Sequence, residues 1–257
     1  IRPLFYIESD SPKKQLIFGS DLRAFKELGL IQEIDLFELG RIHLTWSTSS
    51  ERTLWKGINQ IKPGTLQKFK ICKSAITKFN VLKFWDWGTK IANRNTSYKK
   101  LTKDNRAEFR YQLKSAIYRQ TMSEVGYSSY LSGGIDSSVI AYELSKIEKN
   151  LKTFSVSFKD LQYDESKKQQ LISDHINSKH NSLIIDDNLL ATHFKTTTNF
   201  IQQPFFRTAP IPMMLLAKEV KKNNQKVVLS GEGADEILLG YDIFREIKCV
   251  QFIKDKP

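Results

Sequence analysis

Apolar residues along this chain follow two different rhythms. Up to about residue 90 they gather in short β-like runs, Gln15 to Gly19 and Thr65 to Ile71, with a helix-like stretch from Ser20 to Leu28. From about residue 105 the rhythm changes. A helix is predicted from Asn105 to Met122, then strands at 127–131, 152–158, 182–185 and 226–230, separated by helical stretches such as Ser137 to Lys146. Strands alternating with helices predict an α/β fold built on a parallel sheet. Between the two rhythms, from Gly88 to Lys103, Asn93-Arg-Asn-Thr-Ser97 and clustered lysines interrupt the apolar spacing. The pattern therefore predicts a β-rich domain over 1–90, a linker over 91–104 and an α/β domain over 105–257. The last apolar-periodic segment, Ile237 to Ile247, reads as a helix.

Two of the predicted strands run into glycine turns. Tyr127 to Leu131 feeds Ser132-Gly133-Gly134-Ile135-Asp136-Ser137-Ser138 at the start of a helix. The first backbone N–H groups of a helix are unpaired and its dipole is positive there, so an anion is favoured. Gly133 and Gly134 let backbone approach a phosphate, and Ser132, Ser137 and Ser138 add hydroxyl donors. Asp136 repels phosphate unless a cation lies between them, which implies Mg²⁺. No lysine follows the glycines, so this is not the loop whose lysine reaches the terminal phosphates, and a different cleavage of ATP is implied.

Almost a hundred residues later the design repeats. Lys226 to Ser230 ends in Ser230-Gly231-Glu232-Gly233-Ala234-Asp235-Glu236. Ligands of open parallel sheets bind beyond the carboxyl ends of strands, so the two loops can face one nucleotide, with Asp136 and Asp235 sharing the metal. Glu232, a carboxylate inside a glycine turn, has no evident packing purpose.

Leu131 to Ser138 together with Ser230 to Glu236 and Gly240-Tyr241 resembles the synthetase domain of glutamine-dependent asparagine synthetases. Phe154-Ser-Val-Ser-Phe158 resembles that family's second strand, Tyr163-Asp-Glu165 the opening of its next helix, and Ala209-Pro-Ile-Pro-Met213 its approach to the second loop. Ile1-Arg-Pro-Leu-Phe5, Phe18-Gly-Ser-Asp-Leu-Arg-Ala24 and Ile61-Lys-Pro-Gly64 resemble the downstream part of its N-terminal-nucleophile glutaminase domain. The family's nucleophile is an N-terminal cysteine, whereas residue 1 here is Ile. The resemblance thus implies a chain without the glutaminase centre, and one that stops before the family's last helices.

The resemblance implies an adenine nucleotide alpha hydrolase-like fold. It places ATP on Leu131, Ser132, Gly133, Gly134, Asp136, Ser137, Ser138, Val156, Ser230 and Gly231, with the main chain at Leu131 and Val156 near adenine. Mg²⁺ would lie on Asp136 and Asp235. Glu232, Asp136 and Asp235 are the catalytic candidates, Glu232 by orienting or deprotonating ammonia. The implied reaction turns aspartate into asparagine through an acyl-adenylate, releasing pyrophosphate and AMP, with ammonia from glutamine in the whole protein. Gln203-Pro204-Phe205 and Leu238-Leu239-Gly240 depart from the family pattern, which leaves open a sugar, peptide or β-lactam precursor as the carboxylate. A tRNA-modifying pyrophosphate-loop enzyme and a catalytically silent nucleotide-binding protein are the readings from other classes.

Composition changes this picture little. The formal charge of +12 raises the question of nucleic acid, but 18 Lys/Arg against 9 Asp/Glu fall in residues 1–100, and 22 against 19 fall in 101–257. The excess lies away from the glycine loops. Pairs such as Lys13-Lys14, Lys99-Lys100 and Lys221-Lys222 are not interleaved with aromatics as a stacking platform would be, so no nucleic-acid partner is expected. Cys72 and Cys249 have no metal-like spacing, and no membrane-length apolar run or signal pattern appears. The expectation is a cytoplasmic enzyme of small molecules, compatible with a homodimer. Tyr163-Asp164-Glu165 also fits an acidic helix start, and His175 and His180 read as an exposed helix residue and a turn residue without a metal role.

Overall fold

The computed structural model describes residues 3–9, 15–49, 51–72, 75–86, 102–160 and 162–255. The expected linker over 91–104 lies outside them except for its last three residues, as do Ile1, Arg2 and the pairs Lys13-Lys14 and Lys99-Lys100. The chain forms two compact units, Ile1–Lys99 with His193–Thr208, and Lys100–Thr192 with Ala209–Pro257.

In the first unit, β1 (Phe5–Ser9) pairs antiparallel with β2 (Gln15–Gly19) and with β3 (Asn59–Gln60), while β4 (Thr65–Cys72) and β5 (Ala75–Lys83) make a separate antiparallel pair. Helices α1 (Leu22–Glu27) and α2 (Leu36–Thr45) begin where Asp21 accepts from the Arg23 N–H and Asp35 from the Phe37 and Glu38 N–H groups. The helix expected over 20–28 is thus trimmed at both ends by its caps. Phe5, Leu22, Phe25 and Ile58 form the core. The Trp55 indole donates to the Gln202 carbonyl at 2.8 Å, tying the 193–208 segment to this unit.

The second unit is a four-stranded parallel sheet with helices on both faces. Helix α3 (Lys103–Gln120) leads into β6 (Tyr127–Tyr130), α4 (Ile135–Ser145), β7 (Lys152–Phe158), α5 (Ser166–His175) and β8 (Lys179–Ile185). After α6 (Asp187–Ile201), whose last residues belong to the first unit, α7 (Pro210–Lys222) leads to β9 (Val227–Leu229). The order is β8-β7-β6-β9, parallel throughout. Two strands, β7 and β8, step outward from β6, and the chain then returns to place β9 on its other side. The connections therefore diverge between β6 and β9, where open α/β sheets bind ligands.

On one face, Phe154 packs with Leu216 and Val220 of α7. On the other, Leu151 packs with Ile117 of α3 and Leu144 of α4. Parallel strands covered on both sides are usually runs of aliphatic residues. Here Ser128, Ser129, Thr153, Ser155 and Ser157 are buried in the sheet instead. They are satisfied by hydrogen bonds, as when Ser128 donates to the Val227 carbonyl at 3.1 Å.

Two sequence expectations change. The segment 237–247 is not one helix: α8 (Ala234–Leu238) ends with Leu239 in the left-handed region at φ 59°, and α9 (Asp242–Asp255) starts anew. The Gly240 N–H turns back to the Asp235 carbonyl at 2.9 Å, which closes α8 before the apolar period can continue. The last outer strand is longer than the 182–185 expected, because Lys179, His180 and Asn181 pair in register with Lys152, Thr153 and Phe154 of β7. His180 is therefore a strand residue, not a turn residue.

Candidate active site

The loop after β6 is shaped by one backbone constraint. Gly133 has φ 83°, and a Cβ there would come within 3.0 Å of Lys168 Cβ on α5. The hydroxyls then lock the turn. The Ser132 N–H donates to Ser137 Oγ at 3.0 Å, the Ser132 and Ser137 hydroxyls are 2.8 Å apart, and Ser137 and Ser138 donate to the Gly134 carbonyl at 3.2 and 2.6 Å. Gly134 is the N-cap of α4 without a side chain of its own, so Asp136 stands in the first turn of an eleven-residue helix.

The loop after β9 comes up beside it, because Ser129 pairs with Leu229. A Cβ on Gly231 would lie 2.8 Å from Ser137 N and 3.0 Å from Asp136 C and Cβ. Only glycine lets the second loop touch the first helix turn. Gly233, at φ 90°, then opens α8. A Cβ on Gly240 would fall 1.9 Å from Asp235 Oδ1, so Gly240 is the space in which the Asp235 carboxylate rests.

These loops and the ends of β6 and β7 wall a cavity of about 350 Å³. Leu131, Ser132, Asp136, Ser137, Val156, Ser230, Gly231, Glu232 and Asp235 line it. Gly133, Gly134 and Ser138 do not line it; they build the turn and the first helical bonds behind it. The wall has two characters. Phe154, Val156, Phe158, Met213 and Leu216 make an apolar part, and the serine and glycine loops make a hydrogen-bonding part. Among the described residues, five carboxylates line it, Asp136, Glu165, Glu232, Asp235 and Glu236, and no Lys, Arg or His does.

Sequence reading missed Gln169, Glu165, Glu236, Tyr130 and Tyr241 as lining residues. Gln169 is 2% exposed on an otherwise polar helix, and three alternate buried hydroxyls on β7, Thr153, Ser155 and Ser157, were the available signal that polar partners lay opposite. Tyr241 donates to Glu236 Oε1 at 2.9 Å; that bond, its desolvation and the charges of Glu236, Asp235 and Glu232 hold its phenol above the ordinary pKa. Burial does the same for Tyr130. Asp164 supports the helix-start reading of its segment: it accepts from the Ser166 hydroxyl and N–H, and its pKa is lowered, first by the hydroxyl bond. Both Tyr163 and Glu165 reach the cavity. His175 is exposed and stacks with Tyr142.

Among the described residues, no group of three or more His, Cys, Asp or Glu side chains could hold a metal ion alone. The donor set still suits magnesium in the company of phosphates, since that ion typically takes one or two carboxylates and completes its shell with water and phosphate oxygens. Asp136 and Asp235 both line the cavity and are such a pair, and the five carboxylates among its described lining residues would repel phosphates without a cation. No helix among the described residues is long and apolar enough to cross a membrane.

Residues 108–256 match the family model described as asparagine synthase. The chain is 28% identical over 246 residues to asparagine synthetase [glutamine-hydrolyzing] 1 of Bacillus subtilis, covering 96% of this chain and 37% of that one. It is 26% identical over 221 residues to a putative asparagine synthetase [glutamine-hydrolyzing] of Mycobacterium tuberculosis, covering 85% of this chain and 32% of the relative. It thus spans about a third of the length of these relatives. Among solved structures, it superposes on the NH3-dependent NAD synthetase of Campylobacter jejuni with TM-score 0.40 and 19% identity, over 52% of this chain and 60% of that one.

Proposed function

The chain belongs to the asparagine synthase family, and from that premise we propose that its second unit binds ATP and activates a carboxylate by transfer of the adenylyl group. The observation that carries this reading is the contact of the two loops at Gly231, which brings the hydroxyl cradle and the acidic loop to one cavity. The phosphates would sit against Ser132, Ser137 and the first N–H groups of α4, where dipole and donors favour anions. The base would take the apolar wall at Leu131, Phe154 and Val156.

Asp136 and Asp235 would hold Mg²⁺, which neutralises the phosphates and the departing pyrophosphate. The chain's own contribution is positioning. With the triphosphate held, the substrate carboxylate oxygen attacks the α-phosphorus, the bond to pyrophosphate breaks, and an acyl-adenylate forms. Ammonia then attacks the acyl carbon and AMP leaves. Glu232, exposed at the cavity wall, would orient ammonia and take up its proton. Aspartate is the carboxylate proposed, with glutamine as the ammonia source in the whole protein and the first unit as part of its glutaminase domain.

The test is pyrophosphate release from Mg-ATP with ammonium, with and without aspartate, in the chain and its Asp136→Asn variant. Release that depends on aspartate and is lost in the variant is expected. Release that needs another carboxylate would replace aspartate, and release unaffected by Asp136→Asn would overturn the metal assignment.

A further inference from the structure

Under the apolar wall runs a buried chain of hydrogen bonds that the phosphate chemistry does not use. His180 on β8 has both ring nitrogens engaged, Nδ1 with Thr153 Oγ1 at 2.9 Å and Nε2 with Ser155 Oγ at 3.0 Å. Ser155 Oγ donates to Gln169 Oε1 at 2.8 Å, and Gln169 Nε2 donates to the Val156 carbonyl at 2.9 Å. In the other direction, Thr153 Oγ1 meets Ser178 Oγ at 2.9 Å, which meets Ser173 Oγ at 2.9 Å. Thr153, Ser155, Gln169 and Ser173 are each at most 2% exposed.

Donor and acceptor rules leave a neutral ring one proton order here. A carbonyl only accepts, so Gln169 presents its NH₂ to Val156 and its Oε1 to Ser155. Ser155 has one proton and gives it to Gln169, so His180 carries its own on Nε2. Nδ1 then accepts from Thr153 and Thr153 from Ser178, while the single Ser173 proton faces both Ser178 Oγ at 2.9 Å and the Ser178 carbonyl at 3.3 Å. A neutral Nε2–H imidazole satisfies every member. Burial lowers the His180 pKa against a weaker, opposing pull from Asp174, in keeping with the uncharged ring.

Both Val156 and Gln169 line the cavity, and Val156 does so in its apolar part. We propose that Gln169, held in register by His180 through Ser155, is a positioning residue that fixes the Val156 carbonyl as the acceptor for a purine 6-amino group. The cavity would thereby select an adenine nucleotide over a guanine nucleotide. This rests on the nucleotide reading above. A carbonyl has two lone pairs, and Gln169 takes one while the other is left for the ligand. Adenine offers an N6 amine to such an acceptor, whereas guanine offers its O6, an acceptor facing an acceptor. A free carbonyl on a strand end could tilt; one pinned from behind cannot.

Equilibrium binding of ATP, GTP and inorganic pyrophosphate, each with magnesium, to the 257-residue chain and its Gln169→Leu and Gln169→Glu variants tests this. In Gln169→Leu, ATP affinity should fall about tenfold and the preference for ATP over GTP should shrink, while pyrophosphate affinity holds. In Gln169→Glu, ATP affinity should be weak when the carboxyl is ionised and recover on acidification, because a protonated carboxyl again donates to Val156 and accepts from Ser155. Burial and the neighbouring Asp136, Glu165, Glu232, Asp235 and Glu236 raise that introduced pKa. Lys168 is paired with Glu165 at 3.3 Å, and the wild type should show no such recovery. Unchanged ATP affinity and preference in Gln169→Leu, or an equal loss of pyrophosphate affinity, would overturn the inference. A wild type that binds pyrophosphate but prefers neither nucleotide overturns it alone; one that binds neither ATP nor pyrophosphate takes the nucleotide reading down too.

Discussion

The two glycine loops look alike in sequence and are built to opposite ends. The first is closed on itself: five hydroxyl-mediated bonds among Ser132, Gly134, Ser137 and Ser138 hold it, and an eleven-residue helix stands behind it. The second is open. Among the described residues, its side-chain bonds are a 3.4 Å contact from the Glu232 N–H to Ser230 Oγ and the Tyr241–Glu236 pair, and its helix has five residues. A preformed cradle with a helix dipole suits phosphate, which has a fixed shape and charge. A looser loop carrying Glu232, Asp235 and Glu236 suits groups that exchange during a reaction, namely metal, carboxylate and ammonia. On the proposed function, the two similar motifs would divide the labour.

The largest effect should come from destroying the contact that makes them one site. In Gly231→Val, backbone atoms of Asp136 and Ser137 block the side chain. Stability should fall by about 1–3 kcal/mol and pyrophosphate release should vanish, read by thermal melting and by the release assay. If nucleotide binding survives, the loops act separately and the comparison fails.

Next is Asp136→Asn, which leaves the hydroxyl cradle intact. A loss of about a hundredfold in pyrophosphate release with an unchanged melting temperature is expected. Glu232→Gln should split the reaction. Ammonia-dependent product formation should drop by about ten- to a hundredfold, while aspartate-dependent exchange of pyrophosphate into ATP changes much less. A parallel fall in both would move Glu232 into the phosphate half. The smallest effect belongs to Ser138→Ala. It removes one bond to the Gly134 carbonyl, outside the cavity lining, and should cost about 1 kcal/mol of stability with less than tenfold in activity.

The alternation of strands and helices after residue 105 was legible because sheet and helix periods differ. The glycine loops were legible because their composition has a chemical purpose. The break at Leu239 was not: Ile237, Leu238, Ile243 and Ile247 keep a helical spacing across it. What interrupts the helix is the left-handed turn at Leu239 with its return bond from Gly240 to Asp235, a local cap that apolar periodicity does not register. His180 and Gln169 were hidden for a different reason. Each is polar in a segment that reads as surface, and their burial depends on hydroxyls from β7 that sequence alone cannot pair with them. The reach of Glu165 and Tyr241 into the cavity likewise follows from how helices dock, not from any local motif.

The hydroxyl-rich interior of the sheet also bears on the time before the protein is folded. Strand β6 finds its partner β9 only after nearly a hundred residues of chain intervene, since Tyr127 pairs with Val227. Such long-range parallel pairing is slow and leaves a bare edge open to other chains. With Ser128 and Ser129 at its centre, and Thr153, Ser155 and Ser157 along its neighbour, that waiting edge lacks the unbroken aliphatic stretch that seeds cross-β association. The serines that are hydrogen-bonded in the finished sheet thus also break up the apolar run that an unfinished edge would otherwise present.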